Sequence, residues 1–258
     1  MKFGVSTLVL YRERKINLAK FIESNTDIDR WEILDEGYNR LSNEQIKGLM
    51  EASKDKEFSV HSPFSSINIA EPTKMLRRTF LKILSQSLKN AYKIGAEAWI
   101  LHPGYYTPFT INFKELAQKV SLDSINTLYK EAENYGVSLY IENLPGRNAL
   151  LNNLESTESF LKKVEGNVNL CLDIGHANIF EGSEAFVKKL HDRIGYIHAH
   201  DNVRDFDRHL AVGEGTVNWN ALTDLLKKFK YEGWITVENL SMEDSRKSLD
   251  VLSKLLNF

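Results

Sequence analysis

The chain has 258 residues, 42% of them apolar, which suits one large domain with a sizeable core. Thirty-three basic against thirty-five acidic residues leave a net charge of −2, so no global field draws the protein to nucleic acid or to an anionic membrane. The N-terminal apolar stretch is too short for a secretory core with its cleavage site, and no run approaches the roughly 18 residues of a membrane span. The single cysteine, Cys171, excludes an internal disulfide and fits a reducing compartment, and its setting in NLCLDIG reads as a buried packing position. A cytoplasmic protein is expected.

Short β-rich runs alternate with longer amphipathic segments. The predicted strands are Lys2–Thr7, Arg30–Asp35, Glu57–His61, Ala98–His102, Ser138–Glu142, Asn169–Asp173, Tyr196–His200 and Trp234–Glu238. Apolar residues recurring at steps of three and four predict helices over Leu76–Ile94, Phe113–Tyr135 and Ala221–Phe229. Gly95, Gly136, Gly166, Gly195 and Gly233 are expected to stop helices ahead of the next strand. Continuous apolar runs such as SLYI and NLCL fit strands buried on both faces. Eight such pairs, with no linker or low-complexity tract, predict a single α/β domain over residues 1–258, a (β/α)8 TIM barrel.

The ends of these strands carry the chemistry. His61, His102, Glu142, Asp173, His198 and Glu238 fall at strand ends, and His176, Asp207 and His209 in the loops after strands six and seven. A barrel of this type gathers its active site at the carboxyl ends of its strands, where those side chains converge. One histidine at a strand end is more often a rim residue than a ligand; repetition at strands three, four and seven reverses that balance. In YIENLPG, Glu142 has no nearby cation in sequence, and an unpaired carboxylate entering a barrel interior costs on the order of several kcal/mol, so it requires a metal, an arginine or a proton. CLDIGHA sets Asp173 and His176 three apart, close enough to reach one ion. In YIHAHDNVRDFDRHLAVGEG, His198 and His200 share strand parity, and Asp207 and His209 follow on the loop among the charges Arg204, Asp205 and Arg208. Gly213-Glu214-Gly215 permits a tight turn but lacks the fingerprint of a phosphate loop. Histidine with carboxylate suits zinc, manganese or magnesium, and the absence of clustered thiols excludes a cysteine-type structural zinc site.

The succession VHSPF, LHPG, IENLPG, CLDIGHA, HAHDN, DRHLAVGEG and VENL resembles the xylose isomerase-like barrel superfamily, which joins family-2 AP endonucleases with sugar isomerases and epimerases. The resemblance spans nearly the whole chain. To the sugar phosphate isomerases and epimerases it implies one divalent ion on Glu142, Asp173, His198 and Glu238. To the endonuclease IV-like enzymes it implies three zinc ions on all nine positions. Ile174-Gly175 departs from the nuclease pattern, which has Thr-Cys there, and the loop leading to Asp207 is shorter.

The expected activity is a divalent-metal-dependent isomerisation or epimerisation of a sugar or sugar phosphate through an enediolate, with Glu142 and Glu238 as the acid–base pair. His176 and Arg204 are expected to orient substrate, and Trp219 and Phe64 to line its pocket. The alternative is hydrolysis of DNA phosphodiesters at a multinuclear zinc site, with Phe64 as a wedge; nucleic acid is a partner only in that case.

Overall fold

The structure is a computed structural model that describes residues 1–14, 16–52 and 55–257. Eight parallel strands close in sequential order into a barrel: β1 (Lys2–Ser6), β2 (Arg30–Leu34), β3 (Glu57–His61), β4 (Ala98–Leu101), β5 (Ser138–Glu142), β6 (Asn169–Asp173), β7 (Ile194–Ala199) and β8 (Trp234–Val237). The barrel closes where Lys2 pairs with Trp234 and Val5 with Val237. Around it run α1 (Leu18–Ser24), α2 (Asn43–Ala52), α3 (Lys74–Lys93), α4 (Lys114–Tyr135), α5 (Leu154–Leu161), α6 (Ile174–Ile179), α7 (Ser183–Leu190), α8 (Trp219–Lys228) and α9 (Met242–Leu256). The (β/α)8 barrel expected from the alternation is present. Among the described residues no helix is long and apolar enough to cross a membrane.

Residue spacing explains the layers. In α3, Leu84, Leu88 and Ala91 are buried, and in α4, Ala117, Val120, Ser121, Ser124, Ile125, Leu128 and Ala132; both sets recur at helical steps and face the strands. Trp31, Ile33, Val60 and Trp99 point outward from the barrel into this shared core. Residues of the opposite strand parity point inward. There Ala98, Ile100, Cys171, Tyr196 and Trp234 form a separate small cluster that fills the barrel interior.

Gly95 and Gly136 adopt positive φ just beyond α3 and α4, and Gly136 closes α4 in the left-handed conformation, as expected of helix stops; Gly166 also has positive φ but does not stop α5, which is already capped at Lys162. Gly195 does not stop a helix. It lies inside β7, where the register between β6 and β7 slips: Leu170 pairs with Ile194, but Cys171 pairs with Tyr196. A Cβ at Gly195 would collide with the ring of Tyr140, so a side chain is excluded there. The extra residue resets side-chain parity along β7 and sends Tyr196 and His198 inward. Gly233 is likewise not the stop of α8; Lys230, at φ 53°, takes the left-handed position beyond that helix.

Candidate active site at the carboxyl mouth of the barrel

His61, Glu142 and Asp173 are the last residues of β3, β5 and β6; His102 and Glu238 come one residue after β4 and β8; His198 lies within β7. His176 is carried on α6, whose first turn is capped by Asp173: its Oδ1 accepts from the His176 N–H at 2.7 Å. Asp207 and His209 lie on the loop after β7, with His209 held at φ 51°. All nine converge on one mouth.

Glu142 is the junction. Its Oε2 meets His61 Nε2 at 3.1 Å and His102 Nε2 at 3.0 Å, and its Oε1 meets His198 Nδ1 at 3.3 Å and His176 Nδ1 at 3.4 Å. Beyond it, His198 Nδ1 lies 3.5 Å from Glu238 Oε2 and 3.8 Å from Asp173 Oδ2. Asp207 Oδ2 contacts His176 Nε2 at 3.2 Å and His209 Nε2 at 3.0 Å. The candidate ligand atoms therefore gather in overlapping groups: His61, His102 and Glu142; Glu142, Asp173, His198 and Glu238; Asp173, His176 and His200; His200, His209 and Glu238. Within each group they lie within 4.8 Å of one another.

Several of these histidines have one ring nitrogen occupied by a backbone carbonyl. His61 Nδ1 pairs with Ser62 O at 2.9 Å, His176 Nδ1 with Asn143 O at 2.8 Å and His209 Nδ1 with Glu238 O at 2.8 Å. Each bond places a proton on Nδ1 and leaves Nε2 available as a donor to a cation. The repeated Glu-Asn pair of β5 and β8 has a role here. Asn143 exchanges two hydrogen bonds with the Asp173 backbone, and Asn239 donates to the carbonyls of His209 and Leu210, so each asparagine ties the neighbouring ligand loop down.

Burial and mutual charge govern protonation. Burial opposes the charged form of Glu142, but His198 and His102 more than offset it and hold the carboxyl well below the ordinary range. Burial, reinforced by Glu32 and Glu142 and only partly countered by His198, pushes Glu238 up to about 7. Burial likewise opposes charge on His61, yet Glu142, Glu32 and Glu238 push it up to about 9. His176 and His198 are raised well above the imidazole range against their burial, His176 chiefly by Asp173 and Asp207, His198 by its neighbouring acidic groups. His102 is the exception, lowered by burial and by the adjacent His61 and His176 despite Glu142. Protons on histidines thus balance the carboxylates, a role that divalent cations on the same oxygen and nitrogen donors would also fill. The donor set fits zinc, manganese or magnesium chemistry.

Above the ligands is a cavity of about 170 Å³ lined by both catalytic candidates, Glu142 and Glu238, by His61, His102, His176, Asp207 and His209, and by Phe64, Tyr105, Leu8, Leu34, Leu144 and Pro145. It is below the roughly 300–1,000 Å³ usual for small-molecule and cofactor pockets. Phe64 lines this cavity, its ring 5.3 Å from that of His61 and 5.0 Å from that of His102. Arg204 and Trp219 do not line this cavity. Arg204 is exposed and turns its Nε to Asn178 Oδ1 at 3.4 Å. Trp219 is buried and donates from Nε1 to Asp201 Oδ2 at 2.8 Å. Asp201 also accepts from the backbone N–H groups of Asn202, Gly213 and Val217, so the Gly213–Gly215 turn receives the chain's own carboxylate.

Three participants were not among the candidate site residues expected from the sequence. His200, recognised for its parity with His198, reaches Asp173 Oδ1 at 3.1 Å. Tyr105 sets its hydroxyl 3.3 Å from His102 Nδ1 and carried no signal in the sequence. Glu32 is buried in β2 beneath His198, and a carboxylate inside the apolar run RWEIL was the signal for it.

A parallel barrel with a buried histidine–carboxylate centre at its carboxyl mouth defines a class of TIM-barrel proteins. The chain belongs to the xylose isomerase-like TIM barrel family, whose model matches residues 19–255. It is 33% identical over 264 residues to the uncharacterized protein MJ1311 of Methanocaldococcus jannaschii, covering 99% of this chain and 89% of that one. A solved structure described as a D-tagatose 3-epimerase-like protein superposes with a TM-score of 0.92 at 32% identity, over 100% of this chain and 97% of the other. A probable endonuclease 4 of Aquifex aeolicus is 26% identical over 207 residues, 72% of each chain.

Proposed function

We propose that the protein is a divalent-metal-dependent isomerase or epimerase of a sugar or sugar phosphate. The observation that carries this reading is the buried quartet Glu142, Asp173, His198 and Glu238, in which two glutamates, at the carboxyl ends of β5 and β8, both line the cavity at the barrel mouth. Likeness to the D-tagatose 3-epimerase-like structure supports it. The quartet would hold the ion, which when bound supplies Lewis-acid polarisation of the substrate carbonyl. Glu142 and Glu238 act as the acid–base pair: one carboxylate takes the proton from the carbon beside the carbonyl, and the other glutamate, as a carboxylic acid, returns a proton to that carbon or its neighbour. Phe64 and Leu144 wall the pocket and exclude water, and His176 is placed to hold a substrate hydroxyl.

One observation favours a second reading. His61, His102, His176, Asp207 and His209 add more donors than a single ion uses, and they match the additional zinc ligands implied by the endonuclease IV resemblance. In that reading the protein hydrolyses phosphodiesters of DNA, with up to three ions stabilising charge on the phosphate.

The deciding experiment incubates metal-loaded protein with a panel of ketoses and their phosphates in deuterated water, and separately with duplex DNA carrying an abasic site. Deuterium at the carbon beside the carbonyl is expected. Strand cleavage with no deuterium incorporation into any sugar would overturn the isomerase reading.

A further inference from the structure

Glu32 is completely buried in β2, and its Oε2 accepts from His198 Nε2 at 3.1 Å. Among the described residues its other oxygen has no hydrogen-bond partner, the Tyr196 hydroxyl helps favour its ionised form, and its one described ion pair is with His198. The layer around it is already satisfied: the Tyr196 hydroxyl bonds Ser59 at 2.7 Å and Thr236 at 2.6 Å. A carboxylate in such a place is costly to bury, and no lysine or arginine compensates it among the described residues.

The ring of His198 separates Glu32 from the quartet. Its Nδ1 is the atom aimed at Glu142, Asp173 and Glu238, at 3.3, 3.8 and 3.5 Å, while Nε2 points away from the cavity toward Glu32. His61, His176 and His209 are turned the other way, with Nδ1 on a neutral backbone carbonyl and Nε2 facing a carboxylate of the mouth, Glu142 for His61 and Asp207 for the other two. Of these four rings, His198 is the one whose Nδ1 has no backbone carbonyl among its described partners, and the carboxylate behind it, Glu32, lies outside the cavity. A carboxylate behind a ligating imidazole fixes its tautomer and orientation and raises its basicity.

We propose that Glu32 is a positioning residue that keeps the His198 proton on Nε2 and strengthens Nδ1 as a metal donor. Glu32 does not line the cavity; its one described ion pair is with the imidazole, and beyond that it adds the field of its charge at His61 and Glu238. This assignment rests on the reading that the quartet holds a divalent ion, and its readout is metal affinity and tautomer, independent of turnover.

The test uses full-length apo protein labelled with 15N at histidine. Zn2+ is titrated in competition with a chelator, and the His198 side-chain nitrogens, assigned through His198→Asn, report on this site specifically. In wild type, the Zn2+-loaded ring is expected to carry its proton on Nε2. Glu32→Leu is expected to weaken binding at His198 by roughly 10–100-fold, and Glu32→Gln, which keeps an acceptor but not the charge, by a smaller factor. If the leucine variant does not fold, the isosteric glutamine variant and the wild-type tautomer decide. Affinity within twofold of wild type in every folded variant, a proton on Nδ1, or no response of the wild-type His198 nitrogens to Zn2+ overturns the assignment. Absence of sugar exchange alongside a positive Glu32 result would retire the isomerase reading alone.

Discussion

Glu142 and His102, at the carboxyl ends of the neighbouring strands β5 and β4, meet at 3.0 Å through Oε2 and Nε2, while the second oxygen of the same carboxylate faces His198 at 3.3 Å. One side chain therefore belongs to two donor groups, the His61–His102 trio and the inner quartet. Glu142→Gln should disturb both. Metal affinity is expected to fall by roughly tenfold or more at each occupied site. Equilibrium dialysis with elemental analysis checks this, and unchanged affinity in the variant removes Glu142 from the ligand set.

Glu238 belongs to the quartet and to the His200–His209 group, but not to the trio of His61, His102 and Glu142. Glu238→Gln should weaken the inner site by roughly tenfold or more and leave binding at the trio intact. A metal titration that resolves more than one phase distinguishes the two glutamates; identical behaviour of both variants contradicts the division of the mouth into separate groups.

The donors outside the quartet set the number of ions. Replacing His61 and His209 together by Asn removes one ring from the trio and one from the Asp207 contact. Bound metal per chain, measured on protein purified without chelator, is expected to drop while the quartet retains its ion. Wild-type stoichiometry and activity in the double variant would leave these residues as a polar rim and remove the main support for phosphodiester hydrolysis.

Protons and cations compete for the same atoms, which gives the apo protein a pH dependence of definite sign. His61 is raised from about 6.5 to about 9, so its contribution to stability is fully present below pH 6.5 and lost as the pH rises through 9. Glu238, raised from 4.5 to about 7, acts in the same direction over a lower window: its neutral form is favoured by folding, and that contribution is present below pH 4.5 and lost as the pH rises through about 7. The apo melting temperature should fall by about 5 °C or more between pH 6.5 and 9. Metal-loaded protein should not show this fall, since its ligands are already deprotonated. Calorimetric melts of both forms across this range provide the check, and parallel curves would argue against ligation by these groups.

Gly175 opens α6 against the ring of His200, where a Cβ would overlap the imidazole. His200 is fully buried and holds Asp173 at 3.1 Å, so it has no free space into which to retreat. Gly175→Ala is expected to destabilise the fold by about 1–3 kcal/mol through overpacking and to displace Asp173. Urea unfolding measures the first effect and metal titration the second. A fully stable variant with native metal affinity would show that the ring repacks freely.

Much of the architecture was legible from local pattern alone. Side-chain parity in strands and the three- and four-residue recurrence in helices are short-range properties, so LRRTFLKILSQSLKNAYKI reads as a helix and NLCLD as a buried strand without knowledge of their neighbours. The positions of His61, Glu142 and Asp173 at strand ends follow from the same pattern, and barrel topology then implies that they meet. What the tertiary structure decided is which atoms meet. Gly195 looked like a helix stop because glycine ends helices as readily as it makes bulges; only pairing with β6 and the ring of Tyr140 shows that it resets the parity of β7. Trp219 and Arg204 read as pocket residues from their motif, but the direction of a loop side chain depends on long-range partners, and Asp201 and Asn178 claim them. Glu32 was readable as a charge in an apolar strand, yet its partner lies 166 residues away, a separation that no local periodicity encodes.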